Sequence, residues 1–494
     1  MARQQVNRLQ YCSTLVVLID MTTITIERGA TAPRAIADCY RYLADFSTCE
    51  QWDPAVYRAE KLTPGPPRPG TEFRVIVSIG PRRKTLRYRL DAIAPGERLE
   101  LTGRGAGIKT HETLTFTPGE DGARTHIAYH GEFSLRGPLA RAARLARPAI
   151  KRMTAQAMTG LIDALTIKTA TPRQGWLSYA ADRTLLPGEA LYTDRGYFAM
   201  SDRAHAEFMD DKTVAITGAT GGIGRTIAAE YARLGARVLL VGRDSQRLAA
   251  AAEHVRGVAG CDPEHIDTVE ADLATVAAAQ AAGQQIAARM PHLDVLVNNA
   301  GALFESYGQT ADGHEQTLAI NLIAPFVLTE TLMPALTAAQ GRVINMSSGG
   351  MYAKGLDRGA LEPSGDDYNG LGAYARTKRA LVALTRHWFR RYGDEGVRFN
   401  AMHPGWVDTP GVADALPRFY YLLRPVLRDT RMGADTAVWL GAARRAGALN
   451  GAFVFDRTPR PTALLPGTAV KPSEAQSLYG WLRNKTGIDV HGLR

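Results

Sequence analysis

A strand-like run, KTVAI from Lys212, ends in the glycine-rich turn TGATGGIG at Thr217–Gly224, and a helical pattern begins at Arg225. Such a turn lets the backbone approach a pyrophosphate, because Gly218, Gly222 and Gly224 carry no side chain to obstruct it. Gly218, Gly222, Ile223 and Gly224 are therefore candidate cofactor-binding residues. The following helix offers its N-terminal N–H groups to the anion. Glycine turns are common by themselves. Here further elements follow in order: Asp272, NNAG at Asn298–Gly301, Asn321, the pair Ser347–Ser348, YARTK at Tyr374–Lys378, and HPG at His403–Gly405. Between them strand-like runs (VAIT, RVLLV, IDTVEA, DVLVNNA, RVINMSS, VRFNAMH, AFVFD) alternate with helical stretches from about Ala206 to Gly467. That alternation predicts an α/β domain built on a doubly wound parallel sheet.

A chain of 494 residues is too long for one ordinary core. Residues 22–170 carry a second pattern. TTITIERG (Thr22–Gly29) reads as a strand, and PRAIADCYRYLADF (Pro33–Phe46) as a helix with Ile36, Tyr40 and Leu43 on one face. Strand-like runs follow at TEFRVIVSI, KTLRYRLDAI, RLELTGRG, HETLTFTP and THIAYHGEFSL, parted by PGE and GEDG turns. A long helix is expected over about Pro138–Leu165. Its Arg141, Arg144, Arg147 and Lys151 form a basic face, opposite Leu145, Met153, Met158 and Leu161. Residues 171–205 read as a linker, with WLSYAADRTLL and YTDRGYFAM too apolar for a free tether. The main α/β domain spans 206–470, and 471–494 is a tail with one helical patch, SEAQSLYGWLR.

The net charge of +10 comes from basic residues spread along the chain. It suits a mildly basic enzyme that binds anionic phosphates, and no zinc or basic aromatic motif points to nucleic acid. Cys12, Cys39, Cys49 and Cys261 form no CxxC pair and no disulfide framework, so reduced thiols and a cytoplasmic location are expected. His111, His126 and His130 lack metal-ligand spacing, and no metal is expected. No run reaches the ~18 apolar residues of a membrane span. YCSTLVVLID (residues 11–20) lacks a small-residue cleavage site, so a signal peptide is not expected, and Met21 is an alternative start. The basic helix face is better read as solvated than as a membrane contact.

Tyr374 and Lys378 are four residues apart on a predicted helix, about Leu371–Tyr392, and so project from one face. A free phenol has a pKa of about 10. A nearby ammonium should lower it and make Tyr374 a general acid in reduction and a base in oxidation. Ser348 ends the strand RVINMSS, at the edge that faces a ligand crevice, where its hydroxyl can donate to a carbonyl oxygen. Asn321 sits mid-helix, where asparagine has poor propensity. Asn298 follows the strand DVLV and would secure either the sheet or the adenosine side, while Ala300 and Gly301 let the backbone approach a ligand. After VLLV, Gly242 and Arg243 stand where an NAD-specific site would place a carboxylate. A guanidinium there fits a 2′-phosphate, with Arg247 assisting, so NADP(H) is preferred over NAD(H).

The ordered set of motifs over residues 212–456 resembles the classical short-chain dehydrogenase/reductases, whose Rossmann fold the alternation matches. SSGGM (Ser347–Met351) and MHPGWVDTPGV (Met402–Val412) are similar to the dehydrogenase/reductase member 12 type branch. The resemblance implies catalysis by Asn321, Ser348, Tyr374 and Lys378, with Ser347 as structural neighbour. Lys378 and Tyr374 would also touch the cofactor, Lys378 through the nicotinamide ribose. Asn321 would kink its helix and hold a water that relays protons to Lys378. Asp272 would fix the adenine ring and Leu273 pack on it, and Pro404, Gly405, Val407 and Thr409 would anchor the nicotinamide amide. The spacing from Ser348 to Tyr374 exceeds the family's compact form, and the insert LDRGALEPSGDDYNG reads as a substrate lid or a surface excursion.

Residues 22–170, with Trp52-Asp53-Pro54 after the first helix, resemble the START-like superfamily of polyketide cyclase/dehydrase and lipid-transport type. That resemblance implies an α+β helix-grip fold with an apolar cavity. The combined expectation is an NADP(H)-dependent oxidoreductase interconverting carbonyl and alcohol on a small hydrophobic substrate held or presented by the N-terminal domain. The alternatives are a lipid-binding or transfer protein with a redox-sensing dinucleotide domain, and a polyketide aromatase/ketoreductase fusion. Homo-oligomerisation is left open.

Overall fold

Apolar residues at alternate positions build the first sheet. In the computed structural model, which describes residues 21–79, 82–120, 122–136, 140, 143–172, 192–200, 202–363, 365–409, 413 and 417–489, the chain forms two units. One comprises residues up to Ile167 together with Asp202–Ala206, and the other comprises Lys168–Ser201 and Glu207 onward. The expectations for residues 1–20, WLSYAADRTLL and Arg141 lie outside the described residues.

The first unit contains β1 (Met21–Ala32), α1 (Ile36–Ala44), β2 (Val56–Lys61), β3 (Glu72–Ile79), β4 (Arg82–Ala94), β5 (Arg98–Gly105), β6 (Ile108–Pro118), β7 (Thr125–Arg136) and α2 (Ala143–Leu165). The strands form one antiparallel sheet in the order β1-β7-β6-β5-β4-β3-β2. Leu86, Tyr88 and Leu90, then Leu99 and Leu101, then Leu114 and Phe116 are buried on its inner face. Arg87, Arg89 and Arg104 alternate with them and are exposed, so these arginines face outward. Met158, Leu161 and Leu165 bury the apolar stripe of α2, and Gly160 lets that helix meet the Trp52 carbonyl, where a Cβ has no room. The antiparallel sheet with its long helix is a helix-grip arrangement. β2 is not evident from the sequence: it is an edge strand whose burial does not alternate, and Arg58 and Glu60 pair on it.

Two carboxyl groups lose solvent here, Glu112 buried and Asp53 half-buried. Glu112 on β6 accepts a hydrogen bond from the Tyr88 hydroxyl at 2.8 Å, and burial pushes its pKa up. Asp53 accepts from the Ala55 N–H at 2.8 Å and thereby turns the chain from the first helices into β2. Burial raises its pKa to about 6. The folded form therefore holds the Asp53 proton more tightly than the unfolded chain does. Its stabilising contribution is full below the unfolded value of about 3.9 and is lost as pH rises through about 6. Asp53→Asn keeps the acceptor oxygen and cannot ionise. It is expected to stabilise this unit by ~2 kcal/mol at pH 7.5 and by little at pH 4.5. Thermal unfolding of both proteins at the two pH values measures this; a gap independent of pH would contradict it.

The second unit contains α3 (Asp194–Ala199), β8 (Thr213–Thr217), α4 (Gly222–Arg233), β9 (Arg237–Gly242), α5 (Ser245–Ala259), β10 (Ile266–Glu270), α6 (Val276–Arg289), β11 (Val295–Asn298), α7 (Ala324–Ala339), β12 (Arg342–Met346), α8 (Gly370–Tyr392), β13 (Arg398–Met402), α9 (Pro417–Leu423), α10 (Thr430–Ala442), β14 (Phe453–Phe455), β15 (Thr458–Arg460) and α11 (Pro472–Thr486). The sheet order is β10-β9-β8-β11-β12-β13-β14-β15, parallel throughout except for the final antiparallel hairpin. Chain direction across the sheet reverses between β8 and β11, and the crevice outside the ends of these strands is where such folds bind ligands. Val214, Ile216, Val238, Leu240, Val295 and Val297 are fully or almost fully buried, as near-continuous apolar runs in a doubly covered sheet must be.

Two expectations change. The C-terminal segment is no tail: α11 buries Ala475, Leu478, Tyr479 and Leu482 in the same core as α7 and α8. The helical stretch Gln316–Ala339 is long and apolar enough to cross a membrane, but 72% of its most apolar window is buried inside the unit. Its Glu330 accepts from Trp388 Nε1 and the Tyr392 hydroxyl, each at 2.7 Å. This packing marks it as a core helix of the domain.

Candidate active site

The glycine turn closes on the loop after β11. Gly218 has φ +65°, and a Cβ there would stand 2.9 Å from the Ala300 Cα. At Gly224 the same position is filled by the Asn299 side-chain amide and the Gly218 carbonyl. Thr217 Oγ1 accepts from the Asn299 N–H at 3.0 Å and the Ala300 N–H at 2.9 Å. Asn299 Nδ2 donates to the carbonyls of Thr217 at 2.9 Å and Gly218 at 3.2 Å. Thr217 and Asn299 thus hold the turn, and sequence reasoning missed both. The second asparagine of NNAG was the available signal.

Asn298 needs correction as a cofactor contact. It is 1% exposed, and its Nδ2 donates to Thr329 Oγ1 at 3.2 Å and Asn345 Oδ1 at 2.9 Å. Of its two expected roles, the geometry favours the sheet. Asp272 is exposed and accepts from the Ala274 N–H at 3.2 Å, and Leu273 beside it is buried.

Arg243 and Arg247 are exposed beyond the end of β9. Gly242 packs on Thr220 of the turn, where a Cβ would meet Thr220 Cγ2 at 2.7 Å, and Arg247 Nη2 lies 3.9 Å from the Cβ position of Gly221. The adjacent carboxylate, Asp244, caps α5 by accepting from the Arg247 N–H at 2.9 Å.

The catalytic candidates converge from three elements. Residues Ala319–Ile323 form a π-turn, with Asn321 at its middle. The wider turn aims the Asn321 amide at Ala302: Oδ1 accepts from its N–H and Nδ2 donates to its carbonyl, both at 2.9 Å. On α8, Lys378 is 3% exposed and donates to the Met346 carbonyl at 2.8 Å. A Cβ on Gly301 would lie 3.0 Å from both Asn321 Oδ1 and Lys378 Nζ. Glycine at that position therefore leaves room for both side chains.

Lys378 Nζ lies 5.6 Å from the Tyr374 ring centroid. Ser348 Oγ accepts from the Gly350 N–H at 3.3 Å, and its hydroxyl is near enough to the Tyr374 phenol to act on its ionisation. Ser347 turns away and donates to the Lys378 carbonyl at 3.1 Å.

Burial governs the ionisation of both Tyr374 and Lys378. It raises the Tyr374 phenol, which the nearby Ser348 hydroxyl partly offsets. It brings the Lys378 ammonium down to about 8. The expected lowering of the phenol by the ammonium is thus not realised in the protein by itself, because desolvation disfavours both charged forms.

The loop Pro404–Thr409 returns to the glycine turn. A Cβ on Gly222 would lie 3.8 Å from Thr409 Cγ2, and Val407 packs on Gly433 beside Ile223. Gly405 has φ +83°. The insert before α8 is pinned: Leu361 is buried, Tyr368 donates to the Phe304 carbonyl at 3.0 Å, and Lys485 pairs with Glu362 at 2.7 Å. It fits the surface excursion better than the lid.

A glycine turn at the sheet's switch point, with a serine, a tyrosine and a lysine on neighbouring elements, is the arrangement expected of a nicotinamide-dependent oxidoreductase. Comparison with known proteins agrees. Residues 212–418 match the family described as short chain dehydrogenase, and residues 23–166 match polyketide cyclase / dehydrase and lipid transport. A bovine (Bos taurus) dehydrogenase/reductase SDR family member 12 is 34% identical over 61% of this chain and 96% of its own length. The human protein of that name is 36% identical over 53% of this chain and 82% of its own. Mouse (Mus musculus) retinol dehydrogenase 14 is 33% identical over 57% and 87%. The chain belongs to the short-chain dehydrogenase/reductase family and carries a polyketide cyclase-type domain in front of the oxidoreductase. It is an NAD(P)-dependent oxidoreductase of CH–OH and carbonyl groups.

Proposed function

We propose that the protein is an NADP(H)-dependent oxidoreductase that interconverts a carbonyl and an alcohol on a hydrophobic substrate, which its N-terminal domain binds or presents. The convergence of Lys378 and Asn321 on Gly301, beside the Ser348–Tyr374 pair, carries the reading. A bound reduced nicotinamide supplies the hydride to the carbonyl carbon. Ser348 donates a hydrogen bond to the carbonyl oxygen and Tyr374 protonates it. Lys378 binds the nicotinamide ribose, and Asn321 fixes the loop at Ala302 and lines the proton path to Lys378. Pro404, Gly405, Val407 and Thr409 shape the nicotinamide side; Asp272 and Leu273 shape the adenine side.

Arg243 and Arg247 favour NADP(H). Both guanidinium groups are exposed beyond β9, and the carboxylate beside them is engaged as a helix cap. A hydrophobic substrate fits the retinol dehydrogenase among the relatives and the apolar inner face of the N-terminal sheet. Purified protein should oxidise NADPH with long-chain aldehydes or aromatic ketones and use NADH poorly. Arg243→Asp should raise KM for NADPH by about 10–100-fold, the loss of a charge-assisted phosphate contact, and leave KM for NADH little changed. Equal losses with both cofactors would count against the 2′-phosphate assignment.

A further inference from the structure

Tyr192 precedes the first strand of the parallel sheet and lies outside the residues matched to the short chain dehydrogenase family. Its structural partners are nevertheless the loops of the active site. Its ring meets His403 edge-on at 4.5 Å, Phe455 at 5.2 Å and Trp406 at 5.7 Å between centroids. Its carbonyl accepts from the Trp406 N–H at 2.8 Å and from Arg428 Nε at 3.1 Å. Gly405 is clasped at the same point: a Cβ there would stand 2.8 Å from the Tyr192 carbonyl oxygen and 2.5 Å from Arg428 Nε.

The ring also reaches the serine loop. A Cβ on Gly349, the residue after Ser348, would lie 3.2 Å from the Tyr192 ring and 3.1 Å from His403 Nε2. His403 itself is 3% exposed and accepts from the Gly405 N–H through Nδ1 at 3.2 Å. One aromatic side chain therefore underlies both the turn that presents Ser348 and the loop Pro404–Trp406. Side chains in such a packed contact transmit displacement because the interior has little free volume.

We propose that Tyr192 is a positioning residue for the oxidoreductase reaction, setting the loop Pro404–Thr409 and the Ser348 turn from a position outside the residues matched to the family. The proposal rests on the preceding reading, in which those loops hold the nicotinamide and the substrate carbonyl. It makes a residue that precedes the matched span a working part of the active site.

The test uses the full chain with Tyr192→Phe, Tyr192→Leu and Tyr192→Ala. NADPH Kd is read by quenching of protein fluorescence, kcat and KM by NADPH oxidation, and folding by circular dichroism and Tm. Tyr192→Phe keeps the ring and the carbonyl and should stay within about twofold of wild type in Kd and kcat. Tyr192→Ala, assayed well below its Tm, should raise Kd and KM for NADPH about tenfold or more and lower kcat, since small misplacements near the reacting groups are costly. Tyr192→Leu fills most of the volume and should shift the same constants by a smaller factor, which keeps the test open if the alanine variant does not fold. A folded Tyr192→Ala or Tyr192→Leu with wild-type Kd, KM and kcat would overturn the proposal. So would a lowered Tm and active fraction with an unchanged Kd and KM, which is what a merely structural residue gives. Wild-type protein that binds neither NADPH nor NADH would instead overturn the oxidoreductase reading, and this proposal with it.

Discussion

Tyr374→Phe is expected to lower kcat for carbonyl reduction by about 10²–10⁴-fold, the usual contribution of a positioned general acid. NADPH Kd should stay within about twofold, because the Tyr374 ring remains and the other residues expected to hold the cofactor are unchanged. Lys378 keeps its bond to the Met346 carbonyl, Asn321 keeps Ala302, and the glycine turn keeps Asn299. Stopped-flow mixing of enzyme, NADPH and a hydrophobic ketone separates binding from chemistry. Undiminished hydride transfer in the variant would reject Tyr374 as the acid.

A pH dependence follows from Lys378. Its ammonium, brought down to about 8 by burial, is charged at pH 7 and neutral at pH 9 in the free enzyme. Since kcat/KM reports free-enzyme ionisations, kcat/KM for reduction should fall as pH rises through about 8, and Lys378→Met should remove that limb while lowering the plateau.

The second large effect is on stability. The hairpin between β14 and β15 turns on Asp456 and Arg457, with φ +49° and +56°. Two consecutive left-handed residues make a tight hairpin turn that usually selects Asn-Gly. Here both side chains are held by buried partners. Arg428 donates to Asp456 through two nitrogens at 2.6 and 2.8 Å, and Arg457 donates to Asp435 at 2.6 and 2.8 Å. Arg428 is 1% exposed and Asp456 8%. Asp456→Ala removes the carboxylate that accepts two hydrogen bonds from this buried guanidinium and should cost ~3–5 kcal/mol. Chemical denaturation of the full chain, followed by the fluorescence of the second unit, measures it. A loss under ~1 kcal/mol would mean that Arg428 finds water or another acceptor instead. The same variant should weaken NADPH binding, because Arg428 also donates to the carbonyls of Tyr192 and Thr193 beside Gly405.

Both sites differ in how far they could be read in advance. TGATGGIG, NNAG and YARTK are local patterns, each confined to one turn or one face of a helix, so their elements and order were visible in the residues alone. The alternation of the N-terminal strands was equally visible, except at β2, where an edge strand with paired charges lacks the alternating burial that identifies a strand. The choice between sheet and cofactor for Asn298 required knowing that Thr329 and Asn345 face it. The support given by Thr217 and Asn299 required knowing that β8 and β11 are neighbours.

Residue order alone determined the two kinds of unit, the nucleotide turn, and the phenol and amine that share a helix face, because propensity and periodicity act over a few residues. Tertiary structure decided what surrounds them. It drew Asn321 and Lys378 together at Gly301, folded the last helix into the core, placed Tyr192 beneath two loops distant in the chain, and desolvated Lys378 enough to bring its proton near neutrality. Those outcomes depend on burial and on contacts between residues far apart in sequence, and no short window of the chain contains both partners.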